Sequence, residues 1–272
     1  MNPVLVIARK AFKDGLRSRW LVSLTGCFFA LSLALALFGS AATGTLSLAR
    51  WQDTLSTLAT LAAVLIPLIA IQLSFDSFVG EREEGTLLLM LSYPLHRRQI
   101  LLGKFAGQGG ILALTALMGF GLTGLILFVM TPEAQRQGLG AAFALFILSA
   151  VLLGWVFIAL GYWVSLGAQS KGQAAAKLFA LWFGFVLLYD LLLLGLLVGQ
   201  GSGAWGRGLI LLNPVDLFRL LNLMAMEHES VTGVLSLFRD AALGPGWMLL
   251  AMLAWLGALL WQAQRRLSRL SL

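Results

Sequence analysis

The chain has little charge. Only 11% of its 272 residues are Asp, Glu, Lys or Arg, whereas an ordinary soluble domain carries about 25%. Hydrophobic residues make up 59% and the mean hydropathy is +0.89, so a soluble fold is excluded in favour of a membrane protein. Cysteine is nearly missing too. Cys27 stands alone, which rules out an internal disulfide and a cysteine-rich metal cage. There is no G-x-x-x-x-G-K-[ST], so the chain has no P-loop of its own with which to cradle ATP. H-E-x-x-H, C-x-x-C and any Ser-His-Asp set with credible spacing are likewise missing. Without repeats, low-complexity tracts or flexible linkers, residues 1–272 read as one membrane domain.

What the chain does have is a series of apolar runs of about 20 residues, the length that crosses a bilayer as a helix, separated by short polar breaks. The expected fold is an all-α membrane protein with six transmembrane helices, an amphipathic N-terminal helix and a cytoplasmic coupling helix between spans two and three. The spans fall near Leu21–Ala42, Leu55–Val79, Phe105–Met130, Ala141–Leu166, Leu178–Val198 and Gly246–Gln262. The first ends in small residues like a signal-peptidase site, but it exceeds the usual h-region of about 7–15 residues and reads as a retained span. Pro67 is expected to kink the second. Glycines from Gly107 to Gly124 suit close packing of the third inside the bundle.

Residues 3–20 place Val4, Ile7, Ala8, Ala11, Phe12, Leu16 and Trp20 at helical spacing, with Arg9, Lys10, Lys13 and Arg17 on other faces. That pattern fits a helix in the membrane interface against lipid, although the same bases would mark topology without one. About 14 of the 19 Lys and Arg fall in the segments proposed as inner, which puts both termini in the cytoplasm. The net charge of +7 is therefore a topology signal, and no nucleic-acid partner is expected.

One stretch interrupts the pattern. Glu81 to Lys104 reads EREEGTLLLMLSYPLHRRQILLGK, with acids, bases, a Gly, a Pro and a leucine stripe between two apolar runs. Glu81, Glu83 and Glu84 cluster where negative charge favours a helix start. Leu87, Leu88 and Leu91 form an apolar ridge, and Pro94 breaks the helix before Arg97 and Arg98. A short helix joined stiffly to two spans can carry a push from a soluble partner into the membrane; a solvated loop with topology-fixing arginines has the same composition.

The order of residues separates those readings. E-x-E-x-G-T-L, then L-x-x-P-x-x-R, then G-K, carried by Glu81, Glu83, Gly85, Thr86, Leu87, Leu91, Pro94, Arg97, Gly103 and Lys104, resembles the coupling-helix region of ABC-2-type permeases. These are the six-span membrane halves of many bacterial ABC exporters. The N-terminal MNPVLVIARKAFKDGLRSRW, LLGKFAGQGGILAL and LLNPVDLFRLLNL are similar to the NosY branch of that family, the permeases of transporters that mature nitrous oxide reductase. The resemblance covers most of the chain and is weakest between Gly199 and Trp205. It implies a homodimer in the bacterial cytoplasmic (inner) membrane, a cytoplasmic NosF-like ATPase that holds ATP and Mg, and a periplasmic NosD-like partner, together serving copper-centre assembly. No cofactor and no catalysis are expected on this chain. An ABC-2 permease for another small or amphiphilic substrate fits the same residues, while a membrane-embedded enzyme lacks a catalytic set.

Residues 199–245 form the longest polar interval. Asn213-Pro214-Val215-Asp216 carries a helix start: Asn as cap, Pro at the first position, an acid in the first turn. A short helix on the outer surface is expected, with Asn213, Pro214, Asp216 and Arg219 facing either a periplasmic partner or lipid headgroups. Beyond it Met224, Met226 and His228 offer soft ligands for copper, Met224 and His228 sharing a helical face, although all three fit an ordinary outer loop. Asp76 and Asp190 place carboxylates in or near spans, where charge is costly. As a pair they would suggest an intramembrane aspartyl protease. The G-x-G-D of that family is absent and the two lie at different depths, so Asp76 reads as an interfacial charge and Asp190 as an interior hydrogen-bonding group.

Overall fold

The computed structural model describes residues 2–17, 19–38, 51–93, 95–133, 136–200, 208–209, 211–225 and 244–270. They are helical, with no strand among them. The N-terminal helices are α1 (Pro3–Arg17) and α2 (Arg19–Phe38), followed by the long α3 (Trp51–Ser74) and the short α4 (Val79–Glu83) and α5 (Thr86–Ser92). Helix α6 (Arg97–Ala116) runs through a π-helical turn at Leu117–Gly121 into α7 (Leu122–Met130). Next come α8 (Leu139–Gly167) and α9 (Lys171–Phe183), whose own π-helical turn, Gly184–Leu188, leads into α10 (Tyr189–Gln200). Helices α11 (Pro214–Ala225) and α12 (Pro245–Ser268) complete the chain.

Five stretches are long and apolar enough to cross a membrane: Trp51–Glu83, Arg97–Met130, Leu139–Gly167, Lys171–Gly195 and Pro245–Ser268. They correspond to the second to sixth expected spans. The first expected span corresponds to α2, whose apolar stretch among the described residues is the shorter Thr25–Ala34. Pro67 lies buried within a continuous α3.

Helix α8 is the axis of the bundle. It is apolar all round, as a helix buried on every side must be, and 67% of its apolar window is buried against α3, α6, α11 and α12. The Lys171–Gly195 span is its opposite, with only 17% buried. The glycines of α6 meet α1: a Cβ at Gly103 would lie 2.7 Å from the Ile7 Cβ, and one at Gly107 would lie 2.5 Å from the Ala8 carbonyl oxygen. Small residues here let two helix backbones touch, so α1 is packed onto the bundle through Ile7, Ala11 and Phe12. The end where α1, the α4–α5 segment and the C-terminus of α12 come together is called proximal below, and the end carrying α11 distal.

Candidate coupling site

The path from α3 into α6 is built from two tight changes of direction. Gly85 takes the left-handed φ of +73° between α4 and α5, a conformation only glycine adopts without cost. Tyr93 and His96 are extended, and the Gln99 side chain accepts a hydrogen bond from the His96 N–H at 3.0 Å to start α6. Pro94, expected as the breaker, lies outside the described residues. The Thr86 hydroxyl donates to the Glu81 carbonyl at 3.2 Å, closing α5 back onto α4.

Helix ends supply the anchors. The last carbonyls of a helix have no partner within it and carry the negative end of its dipole. Arg82 donates to the carbonyls of Leu166 at 2.9 Å and Ala168 at 3.1 Å, capping α8 from α4. Arg97 donates to Leu267 and Ser268 at 2.8 and 2.7 Å, capping α12 from α6. Arg266 donates to Trp163 at 2.7 Å and stacks over its ring. At the opposite polarity, the Glu83 carboxylate accepts from the Lys171 backbone N–H at 3.1 Å, the first turn of α9. The Ser165 hydroxyl accepts from the Phe78 and Val79 amides at 3.2 and 3.0 Å, satisfying the start of α4.

Lys104 corrects the sequence reading. It was expected in the loop, yet it sits about two turns inside α6 and is 6% exposed, because its ammonium is held by Glu81 at 2.5 Å, by the Ser77 carbonyl and by the Phe78 ring face. Ser77, Gln108 and Tyr162 extend this polar core, with Tyr162 donating to Gln108 at 2.7 Å. Lys171 pairs with Glu84 at 2.8 Å on the surface and holds that carboxyl below its usual range.

The leucine stripe divides. Leu87 is buried at 3% exposure, whereas Leu88, Leu89 and Tyr93 stand 56%, 66% and 67% exposed at the proximal tip. Arg98 is exposed in the first turn of α6. Leu89, Tyr93 and the capping Arg82 were missed from sequence, the last because it occupies the variable position of E-x-E and its partners lie more than 80 residues away.

The model of the ABC-2 family transporter protein matches residues 5–270. The chain belongs to the ABC-2 transporter family. This permease is 46% identical over 263 residues, 96% of each chain, to a protein of Pseudomonas aeruginosa named "Probable ABC transporter permease protein NosY". It is 45% identical over 261 residues to a protein of that name from Stutzerimonas stutzeri, covering 94% of this chain and 95% of the relative.

At the distal end of the permease, α11 begins as expected, with the Asn213 side chain accepting from the Val215 N–H at 2.9 Å. It does not lie on the surface. Asn213, Asp216 and Asn222 are at most 1% exposed, as are Val215, Leu217, Phe218 and Leu221, so the helix is wedged among α3, α8 and α12. The reason is that its polar side chains find partners inside: Asn222 donates to Ser149 at 3.0 Å, and Asn213 to Asp216 at 2.9 Å and to the Phe185 carbonyl at 2.8 Å.

Arg219 reaches Asp190 at 2.6 Å and Asp216 at 3.8 Å. Two acids thus share one guanidinium. Burial, then the neighbouring Asp190, push the Asp216 carboxyl up to about 7. Asp190 therefore pairs distally, while Asp76 lies in the turn between α3 and α4 and lines a proximal cavity with Glu84, Lys104 and Lys171. The two carboxylates are not brought together. Met224 is half-buried, Met226 and His228 lie outside the described residues, and no cluster of three or more His, Cys, Asp or Glu that would hold a metal occurs among the described residues.

Proposed function

We propose that this permease couples ATP hydrolysis by a separate NosF-like ATPase to work in maturing the copper centre of nitrous oxide reductase. The single observation that carries the coupling is the division of the Glu81–Lys104 stretch into an exposed apolar tip and an anchored base. Leu88, Leu89 and Tyr93 offer contact to a soluble partner, while Arg82, Glu83 and Arg97 tie the same segment to the ends of α8, α9 and α12. A displacement of α5 is then passed to several spans at once, because packed interiors transmit strain and do not absorb it. Assignment to nitrous oxide reductase maturation rests on the 46% identity to the NosY-named relative.

The working unit is a homodimer in the bacterial inner membrane, with six spans per copy and both termini cytoplasmic. The excess of Lys and Arg in the proximal segments supports this topology. Support for a second copy comes from the Lys171–Gly195 span: Gly172, Ala176 and Ala180 form an exposed small-residue row at four-residue spacing, the pattern that lets membrane helices approach closely. A NosD-like periplasmic partner meets the distal end, for which buried α11 is the foundation and half-buried Arg219 the accessible polar group among its docking residues.

Glu83→Ala with Arg97→Ala tests the coupling. Both variants are expected to hold the ATPase yet lose reductase activation; wild-type activation in the double variant would refute it.

A further inference from the structure

Two cavities flank the contact of α1 with α6 and adjoin at Gly15. One, about 440 Å³, is lined by charged and amide side chains, among them Lys10, Asp76, Glu81, Lys104 and Gln108. The other, about 430 Å³, is lined by Leu16, Phe29, Leu114, Met118 and Leu122, with Gly26 leaving open space at its wall. A polar chamber next to an apolar one of equal size matches an amphiphile.

The pairing of charges narrows the head group. Lys104 is committed to Glu81 and Lys171 to Glu84, so among the described residues the half-buried Asp76 carboxylate makes no direct ion pair and feels those two lysines only through space. Exposed Lys10 lines the same chamber. Two acids without an ion pair among the described residues, exposed Asp14 and the more buried Asp76, and one such base, Lys10, line the chamber; Asp76 and Lys10 together suit a zwitterion whose cation donates hydrogen bonds to Asp76 and whose anion meets Lys10. A primary ammonium has three N–H donors for that carboxylate, whereas a trimethylammonium has none. We infer that the paired cavities bind a phospholipid with a primary ammonium and phosphate head, of the phosphatidylethanolamine kind, from the leaflet in which α1 lies. The site holds α1 against α6 through lipid as well as through Ile7 and Ala11, and it is independent of what the transporter carries.

The purified full-length permease would be examined by native mass spectrometry with phosphatidylethanolamine, phosphatidylcholine and phosphatidylglycerol, and with soluble phosphoethanolamine as competitor. Wild-type protein should retain phosphatidylethanolamine about tenfold over phosphatidylcholine, the worth of one charge-assisted hydrogen bond. Asp76→Asn should abolish that preference while still binding both lipids, which also shows that the variant is folded. Gly26→Phe, filling the apolar chamber, should weaken both lipids alike. Equal retention of all three lipids, or an unchanged preference in Asp76→Asn, would overturn the site. Competition by phosphoethanolamine as effective as by the lipid would assign the chamber to a soluble ligand, and release of the lipid on adding the ATPase subunit would assign it to a protein partner.

Discussion

At the proximal end Glu81, Glu83 and Glu84 each meet a lysine or a helix start, and Arg82 and Arg97 each meet a helix C-terminus. At the distal end Asp190 and Asp216 share Arg219, and Asp216 is wholly buried. Both clusters put charge into an apolar bundle, but the first neutralises each group separately and the second leaves one acid short of a partner. A network of the first kind is stiff, as the proposed coupling joint needs to be. The second kind is sensitive to the proton.

The largest effect should come from the exposed tip. Leu88→Glu with Leu89→Glu removes the apolar contact offered by α5 without touching the anchors, so co-purification with the ATPase subunit should be lost while the melting temperature stays unchanged. Arg82→Ala attacks the anchors instead: it strips two charge-assisted hydrogen bonds from the end of α8, and thermal unfolding in detergent should show a loss of about 2–3 kcal/mol. Retained stability would mean that the caps carry no load. Gly85→Ala forces a side chain into φ +73°, at a cost of about 1 kcal/mol, although a Cβ there meets nothing.

The distal comparison is sharpened by pH. Asp216 is raised from 3.8 to about 7, so between those values the folded chain keeps a proton that the unfolded chain has released. Stability should therefore fall as pH rises from about 4 towards 7 and level off above, and Asp216→Asn should flatten that slope in a pH series of melting curves. The smallest effect belongs to Glu84→Gln at the solvent-exposed pair with Lys171, which should leave the melting temperature unchanged.

Much of this was legible in the residues. Run lengths marked the spans, the Asn-Pro-x-Asp start of α11 was recognisable from its cap, and the order of Glu81 to Lys104 pointed to the family. What periodicity does not encode is the partner. It places Leu87, Leu88 and Leu91 on a ridge, but which leucine faces outward depends on how α5 is held by Arg82 and Thr86. The alternation of polar and apolar residues in α11 is the same for a surface helix as for one whose Asn213, Arg219 and Asn222 are answered inside by Phe185, Asp190 and Ser149. Lys104 was misread for a related reason: a lysine at the end of a charged stretch reads as part of the loop until Glu81 and Ser77 close over it.

The central claim is that the tip of α5 touches the ATPase while its base is locked to the bundle. Site-specific crosslinking tests it most directly: Leu89→Cys and, separately, Leu87→Cys, each in a Cys27→Ser chain, treated with a short thiol-to-amine crosslinker in membranes that contain the ATPase subunit. The account predicts a permease–ATPase adduct from position 89 and none from buried position 87. Adducts from both positions, or from neither, would contradict it.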